Sequence, residues 1–61
     1  MPHVTVQMYE GRTVEQKRAL AAAITEAVVK YANTTPEATQ VVIVDVLKHN
    51  WAHAGKLASE S

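Results

Sequence analysis

Apolar and polar residues alternate at the start of the chain, which predicts a β-strand. Val4, Val6 and Met8 are apolar, and the residues between them are polar. A period of two is typical of a strand that packs one face against a core. We therefore predict a strand over residues 3–9, followed by a turn at Gly11.

The next segment has the pattern of an amphipathic helix. Thr13 and Gln16 have the spacing of a capping box, in which each side chain accepts a hydrogen bond from the other residue's backbone. Apolar residues then recur at helical spacing in one stripe: Leu20, Ile24, Ala27, Val28 and Tyr31. The charged residues of the segment fall mostly away from this stripe. Asn33 suits the left-handed conformation that ends many helices, so the helix is predicted to end near residue 32.

A continuous β-branched run at residues 41–44 predicts a second strand over residues 39–46. Pro36, just before it, fits the first position of a short helical turn. A strand, a helix and a second strand form a right-handed βαβ unit with parallel strands, so the predicted fold class is α+β. Residues 47–61 show no clear period and are predicted to form a loop with a short hairpin. The alternative is that residues 39–46 do not form a strand.

The length of the chain favours an oligomer. Its 61 residues are enough for one small domain over residues 1–61. Domains of this size seldom bury a sufficient core and commonly gain stability from disulfides, metals or subunits. The chain has no cysteine, and one helix covers only one face of the predicted sheet. We therefore expect a second chain to cover the other face by packing sheet against sheet.

Charge and composition exclude several classes of protein. Six Lys and Arg residues balance six Asp and Glu residues, so no basic excess is present for binding nucleic acid. The longest apolar stretch is far shorter than a membrane span, and the N-terminus lacks a secretory signal. The absence of cysteine excludes a thiolate zinc site and a cysteine nucleophile. A cytoplasmic protein that does not bind membranes or nucleic acid is expected.

Pro2 is the candidate with the most specific chemistry. Removal of Met1 would leave the Pro2 nitrogen as a free secondary amine, and α-amino groups titrate near pH ~8 in model peptides. An apolar cavity or a nearby arginine would lower this pKa, and a neutral amine is a good general base. If Met1 is retained, the nitrogen is an amide and cannot accept a proton. By itself the Met1-Pro2 pair is also compatible with a proline at the start of an edge strand.

Several motifs occur together in one register along the chain. Pro2 is followed by Glu10-Gly11-Arg12-Thr13, by the helix segment 15–20 of sequence EQKRAL, by the apolar second strand and by AGKL at residues 54–57. In this combination the chain resembles the 4-oxalocrotonate tautomerase family over essentially its whole length. The resemblance implies keto-enol tautomerisation of an unsaturated 2-hydroxy or 2-oxo acid in aromatic catabolism. It also implies β-α-β subunits in a homohexamer (a trimer of dimers) or a trimer, with no metal and no organic cofactor.

The resemblance also implies roles for individual residues. Pro2 matches the family's general base, and Arg12 matches an arginine that binds a substrate carboxylate, commonly from a neighbouring subunit. Trp51 occupies the place of an aromatic wall of the pocket, and Tyr9 occupies a position whose backbone lines the site. Gln40 stands where well-known members carry a second arginine. Because an amide supplies no positive charge, we expect weaker use of dicarboxylates or a smaller monoacid substrate.

Three alternatives remain at this stage. A haloacrylate dehalogenase or hydratase would need a carboxylate to activate water, for which Asp45 and Glu37 are available. A non-catalytic assembly or binding protein is favoured if Met1 is retained. His49 and His53 have the i,i+4 spacing of a metal-binding pair on a helix, but Gly55 and the absent period make a helix there doubtful, and two ligands are too few for a closed zinc site.

Overall fold

The structure is a computed structural model that describes residues 2–60. Its principal elements, in chain order, are strand β1 (His3–Tyr9), helix α1 (Val14–Ala32), a 3₁₀ turn (Pro36–Ala38) and strand β2 (Gln40–Val46). The tail contains a 3₁₀ turn (Lys48–Asn50), strands β3 (Ala52–His53) and β4 (Lys56–Leu57), and a last 3₁₀ turn (Ala58–Glu60). The predicted removal of Met1 lies outside the described residues. Within residues 2–60, no helix combines the length and the apolar character needed to cross a membrane.

Strands β1 and β2 pair in parallel, which confirms the predicted β-α-β unit and its α+β class. His3 lies opposite Gln40 and Tyr9 lies opposite Val46, so the strands are in register along their whole length. The ladder extends at both ends. The Gln40 N–H donates to the Pro2 carbonyl at 3.0 Å, and the Glu10 N–H donates to the Val46 carbonyl at 3.0 Å. Both strand predictions are therefore confirmed, with β2 starting one residue later than expected.

Both ends of helix α1 follow from local sequence signals. The Gln16 N–H donates to the Thr13 hydroxyl at 3.1 Å, and the Thr13 N–H donates to the Gln16 side-chain oxygen at 2.9 Å. This is the predicted capping box. Asn33 has φ 55° and ψ 56°, and its N–H donates to the Val29 carbonyl. The left-handed Asn33 therefore ends the helix as the sequence predicted.

The face of α1 that contacts the sheet differs from the prediction at three places. Leu20, Ile24 and Val28 are half-buried, as expected, but Ala27 is exposed and Tyr31 is 80% exposed. A helix of 19 residues is about 28 Å long, whereas strands of seven residues are about 23 Å long, so the last turn of α1 extends past the sheet. At the other end Lys17 points toward the sheet, and its Nζ lies 2.6 Å from Asp45 Oδ2.

The second face of the sheet has no cover in the single chain. This open face carries the alternate residues of both strands, which are His3, Thr5, Gln7, Tyr9, Gln40, Val42, Val44 and Val46. Val42 is 43% exposed and Val44 is 37% exposed. No side chain within residues 2–60 is fully buried. The predicted cover of this face by a second chain would bury these side chains.

The tail forms the short hairpin that the sequence suggested. β3 and β4 pair antiparallel, with Ala52 opposite Leu57. The two linking residues, Ala54 and Gly55, have φ values of 54° and 80°. Positive φ at both central residues is the signature of a type I′ turn, which matches the twist of the strands that it joins.

Candidate active site

Pro2 lies at the amino end of the parallel sheet. It is half-buried, and its carbonyl accepts the hydrogen bond from the Gln40 backbone N–H at 3.0 Å. The proline ring also fixes φ. These constraints hold Pro2 against the first residue of β2. Of the predicted site residues, Gln40 is therefore the one that the fold places beside Pro2, and its side chain is exposed.

Tyr9 and Trp51 lie together at the opposite, carboxyl end of the sheet. Their ring centroids are 4.9 Å apart and the rings are inclined by 73°, an edge-to-face arrangement that aromatic pairs favour. The Trp51 backbone is held on both sides, since its N–H donates to the Lys48 carbonyl and its carbonyl accepts from the Ala58 N–H at 2.7 Å. Trp51, the residue predicted to form the wall of the pocket, is therefore held with its ring against Tyr9.

Arg12 lies in the connection from β1 to α1, immediately before the N-cap Thr13. Gly11 precedes it with φ 116°, a conformation that few residues other than glycine adopt. Arg12 is exposed and forms no ion pair with the described part of the chain, and the nearby Glu15 carboxylate accepts from Arg18 at 3.0 Å. The guanidinium is therefore available to an anion from outside the subunit.

The predicted site residues fall into two groups at opposite ends of one sheet. Pro2 and Gln40 are at the amino end, whereas Tyr9, Arg12 and Trp51 are at or beyond the carboxyl end. The seven residues of β1 separate the groups by about 23 Å. No small substrate spans that distance, so one chain does not bring the five residues into a single pocket.

The residues proposed for the alternative functions are placed differently. The Asp45 carboxylate is engaged by Lys17 on α1, at the end of the sheet away from Pro2 of the same chain. Glu37 lies in the 3₁₀ turn that precedes β2 and is exposed. His49 is in a 3₁₀ turn and His53 is in β3, so they do not share a helix. Within residues 2–60, no three His, Cys, Asp or Glu side chains form a group that could hold a metal.

The structure shows a cleft that the sequence analysis did not identify. It has a volume of about 350 Å³ beside the Tyr9–Trp51 pair. We call it the Trp51 cleft, and its side chains include Tyr9, Lys48, Trp51, His53, Lys56 and Leu57. One signal in the sequence was available, because Lys48 and Trp51 have the i,i+3 spacing that places two residues on one side of a 3₁₀ turn.

Similarity to known proteins identifies the family of this chain. The family model described as tautomerase enzyme matches residues 2–60. The 2-hydroxymuconate tautomerase of Bacillus subtilis (strain 168) is 47% identical over 60 residues, which cover 98% of this chain and 97% of that protein. This chain therefore belongs to the tautomerase family, and it is an enzyme of the isomerase class.

Two solved structures are similar to this chain in both fold and sequence. YwhB, a homologue of 4-oxalocrotonate tautomerase, matches with a TM-score of 0.95 at 45% identity over 98% of each chain. A heterohexameric 4-oxalocrotonate tautomerase from Chloroflexus aurantiacus J-10-fl matches with a TM-score of 0.93 at 28% identity, covering 98% of this chain and 97% of that one. The resemblance to 4-oxalocrotonate tautomerases drawn from the sequence is confirmed.

Proposed function

We propose that the protein interconverts the enol and keto forms of an unsaturated 2-hydroxy or 2-oxo acid, with Pro2 as general base. The observation that carries this proposal is the half-buried Pro2, which the Gln40 N–H holds at the start of β1. The proposal includes removal of Met1, because only a free Pro2 nitrogen has a lone pair that accepts a proton. The name of the Bacillus subtilis relative, 2-hydroxymuconate tautomerase, supports this class of substrate.

In the proposed reaction the Pro2 nitrogen takes the proton from the enol hydroxyl of a 2-hydroxydienoate. The oxygen becomes a carbonyl, the double bonds shift along the chain, and the same nitrogen returns the proton to carbon. The step is an isomerisation, so it needs no oxidant, reductant or second substrate. A base held near the reacting atoms contributes roughly 10²–10⁴-fold to a proton transfer.

We propose that the site forms between subunits. Arg12 of one chain would bind the substrate carboxylate through a charge-assisted hydrogen bond beside Pro2 of another chain. Trp51 and Tyr9 would form the wall that keeps water from the base, and Gln40 would donate a neutral hydrogen bond. The separation of these residues by about 23 Å along one sheet supports this arrangement.

The proposed assembly is a homohexamer built as a trimer of dimers. Its support is the uncovered open face, where Val42 and Val44 are 43% and 37% exposed, and the hexameric state of the Chloroflexus aurantiacus relative. Packing of two open faces would remove these side chains from water. A cytoplasmic location and a role in the breakdown of aromatic compounds belong to the same proposal.

The test is ketonisation of 2-hydroxymuconate followed by absorbance, with the intact mass of the natural protein measured in parallel. We expect a mass without Met1 and a loss of at least about 100-fold in kcat for Pro2→Ala. Pro36→Ala is the matched control, because Pro36 lies in the exposed turn before β2. An active protein that retains Met1, or a Pro2→Ala variant as fast as the wild type, would refute the proline mechanism.

A further inference from the structure

The Trp51 cleft has a charge pattern that the proposed roles of Tyr9 and Trp51 do not explain. Two lysines and one histidine line it, and no acidic residue does. The Lys48 ammonium lies 5.6 Å from the centroid of the Tyr9 ring, within the range of a cation–π contact. This contact holds one positive charge at the aromatic wall of the cleft.

Neither lysine of the cleft has an acidic partner among residues 2–60. Lys17 is paired with Asp45, and Arg18 is paired with Glu15. In the described range 2–60, neither Lys48 nor Lys56 forms an ion pair. The nearest acidic side chain along the tail, Glu60, accepts a hydrogen bond from the Leu57 backbone N–H at 3.3 Å. The charges of Lys48 and Lys56 are therefore not neutralised by an ion pair within residues 2–60.

The cleft combines features that suit a flat organic anion. Its 350 Å³ lies in the size range of small-molecule sites, and it has an edge-to-face aromatic pair on one side. Ammonium groups bind carboxylates as point charges, and aromatic rings pack against a conjugated carbon chain. A carboxylate with a conjugated carbon chain would contact both the ammonium groups and the aromatic rings.

We propose that the Trp51 cleft binds the second carboxylate of an unsaturated dicarboxylate, with Lys48 and Lys56 as the residues that select it. This inference rests on the proposed function, in which Arg12 binds the first carboxylate and Pro2 moves the proton. It leads to a substrate preference opposite to the one expected from Gln40. The neutral Gln40 by itself favours a monoacid, whereas two unpaired ammonium groups favour a dianion.

Binding can be measured separately from catalysis because Trp51 is the single tryptophan of the chain. The probes are muconate, a dianion, and sorbate, a monoanion with the same conjugated six-carbon skeleton. Neither carries the 2-hydroxyl group that tautomerises. We expect muconate to change the Trp51 emission and to bind roughly tenfold more tightly than sorbate, with a difference that shrinks at high salt.

The double variant Lys48→Met/Lys56→Met should lose most of the preference for muconate while still binding sorbate. The matched control is Lys30→Met, because the Lys30 ammonium also lies over a tyrosine ring, at 5.1 Å from Tyr31, but outside the cleft. In kinetics, the double variant should lose about tenfold in kcat/KM with 2-hydroxymuconate and less than about twofold with a monocarboxylic enol.

The outcomes separate this inference from the proposed function. Equal affinity for muconate and sorbate, or a preference that the Lys48→Met/Lys56→Met variant keeps, would overturn the dicarboxylate subsite. If Pro2→Ala is fully active while the lysine variant loses the preference for the dianion, the proline mechanism fails and the anion subsite stands.

Discussion

At the scale of single residues, the chemistry depends on the state of one nitrogen atom. The Pro2 carbonyl is already used by the Gln40 N–H, so the nitrogen is the group left for reaction. A proline nitrogen inside a chain has neither a proton nor an available lone pair. The structure fixes the position of Pro2. Removal of Met1 determines whether the Pro2 nitrogen is a reactive amine.

A second residue with a special backbone is Ala54, in the hairpin of the tail. Its φ of 54° is unfavourable for a residue with a Cβ, and the left-handed region costs an L-residue roughly 1–2 kcal/mol. Ala54→Asn should stabilise the protein by about 0.5–1 kcal/mol, because Asn-Gly is a preferred pair in type I′ turns. The measurement is the urea midpoint at fixed protein concentration.

Ala54→Val is the opposing variant for this turn. A β-branched residue at positive φ is strained, so the midpoint should fall for Ala54→Val and rise for Ala54→Asn. Equal midpoints in the two variants would show that the turn conformation contributes nothing to stability.

At the scale of elements, the start of α1 depends on the reciprocal bonds of Thr13 and Gln16. Loss of an N-cap hydroxyl costs about 1 kcal/mol. Thr13→Ala should lower stability by that amount, whereas Thr13→Ser keeps the hydroxyl and should remain close to the wild type. Chemical unfolding followed by helix circular dichroism measures both, and a Thr13→Ala protein as stable as Thr13→Ser would contradict the role of the cap.

The sequence predicted the features of the helix and strands that depend on residues close together along the chain. The alternation in β1, the capping box and the left-handed Asn33 are local signals, and each is confirmed. Tyr31 was placed wrongly because periodicity gives the angle of a residue around a helix but not whether a strand lies opposite it. The Lys17–Asp45 ion pair was not anticipated for the same reason, since it joins α1 to a strand distant in sequence.

The candidate site was only partly predictable for a related reason. Pro2 and Arg12 were identified by residue type and register, but their positions at opposite ends of the sheet depend on the strand pairing. The Trp51 cleft was missed because Lys48 and Tyr9 are brought together by the fold of the tail. The pairing of two strands can be predicted from their patterns, but contacts between single side chains of distant segments carry no such signature in a single sequence.

At the scale of the whole molecule, the isolated subunit is too extended for its length. Its radius of gyration is 14.3 Å, whereas a compact chain of 61 residues has about 10–11 Å. Its accessible surface is 4763 Å², against about 3,900 Å² for a monomeric protein of 6.7 kDa. This excess of exposed surface supports the proposal that other subunits cover part of the chain.

The open face provides a direct test of assembly. Val44→Glu would place a charge where subunits are proposed to meet, so it should dissociate the oligomer and abolish activity. Val14→Glu is the matched control, because Val14 is 68% exposed and lies in the first turn of α1, where an acidic residue is favourable. Light scattering measures the mass of both. A Val44→Glu protein of unchanged mass would contradict packing through the open face.

Sharing of the site between subunits predicts complementation. Pro2→Ala and Arg12→Ala chains are mixed in equal amounts, unfolded and then refolded together. The mixture should regain about one quarter of wild-type activity. In random hybrids about one site in four combines an intact Pro2 with an intact Arg12 from another chain. If both residues acted from the same chain, no hybrid site would contain both, and the mixture would stay as inactive as each variant refolded alone.

The absence of a buried side chain within residues 2–60 has a consequence for how the enzyme is made. Because residues 2–60 bury no side chain fully in the single chain, we expect a newly synthesised chain to acquire a stable tertiary structure only together with its partner subunits, in one concentration-dependent event. The amount of working enzyme should therefore rise faster than in proportion to the number of chains translated.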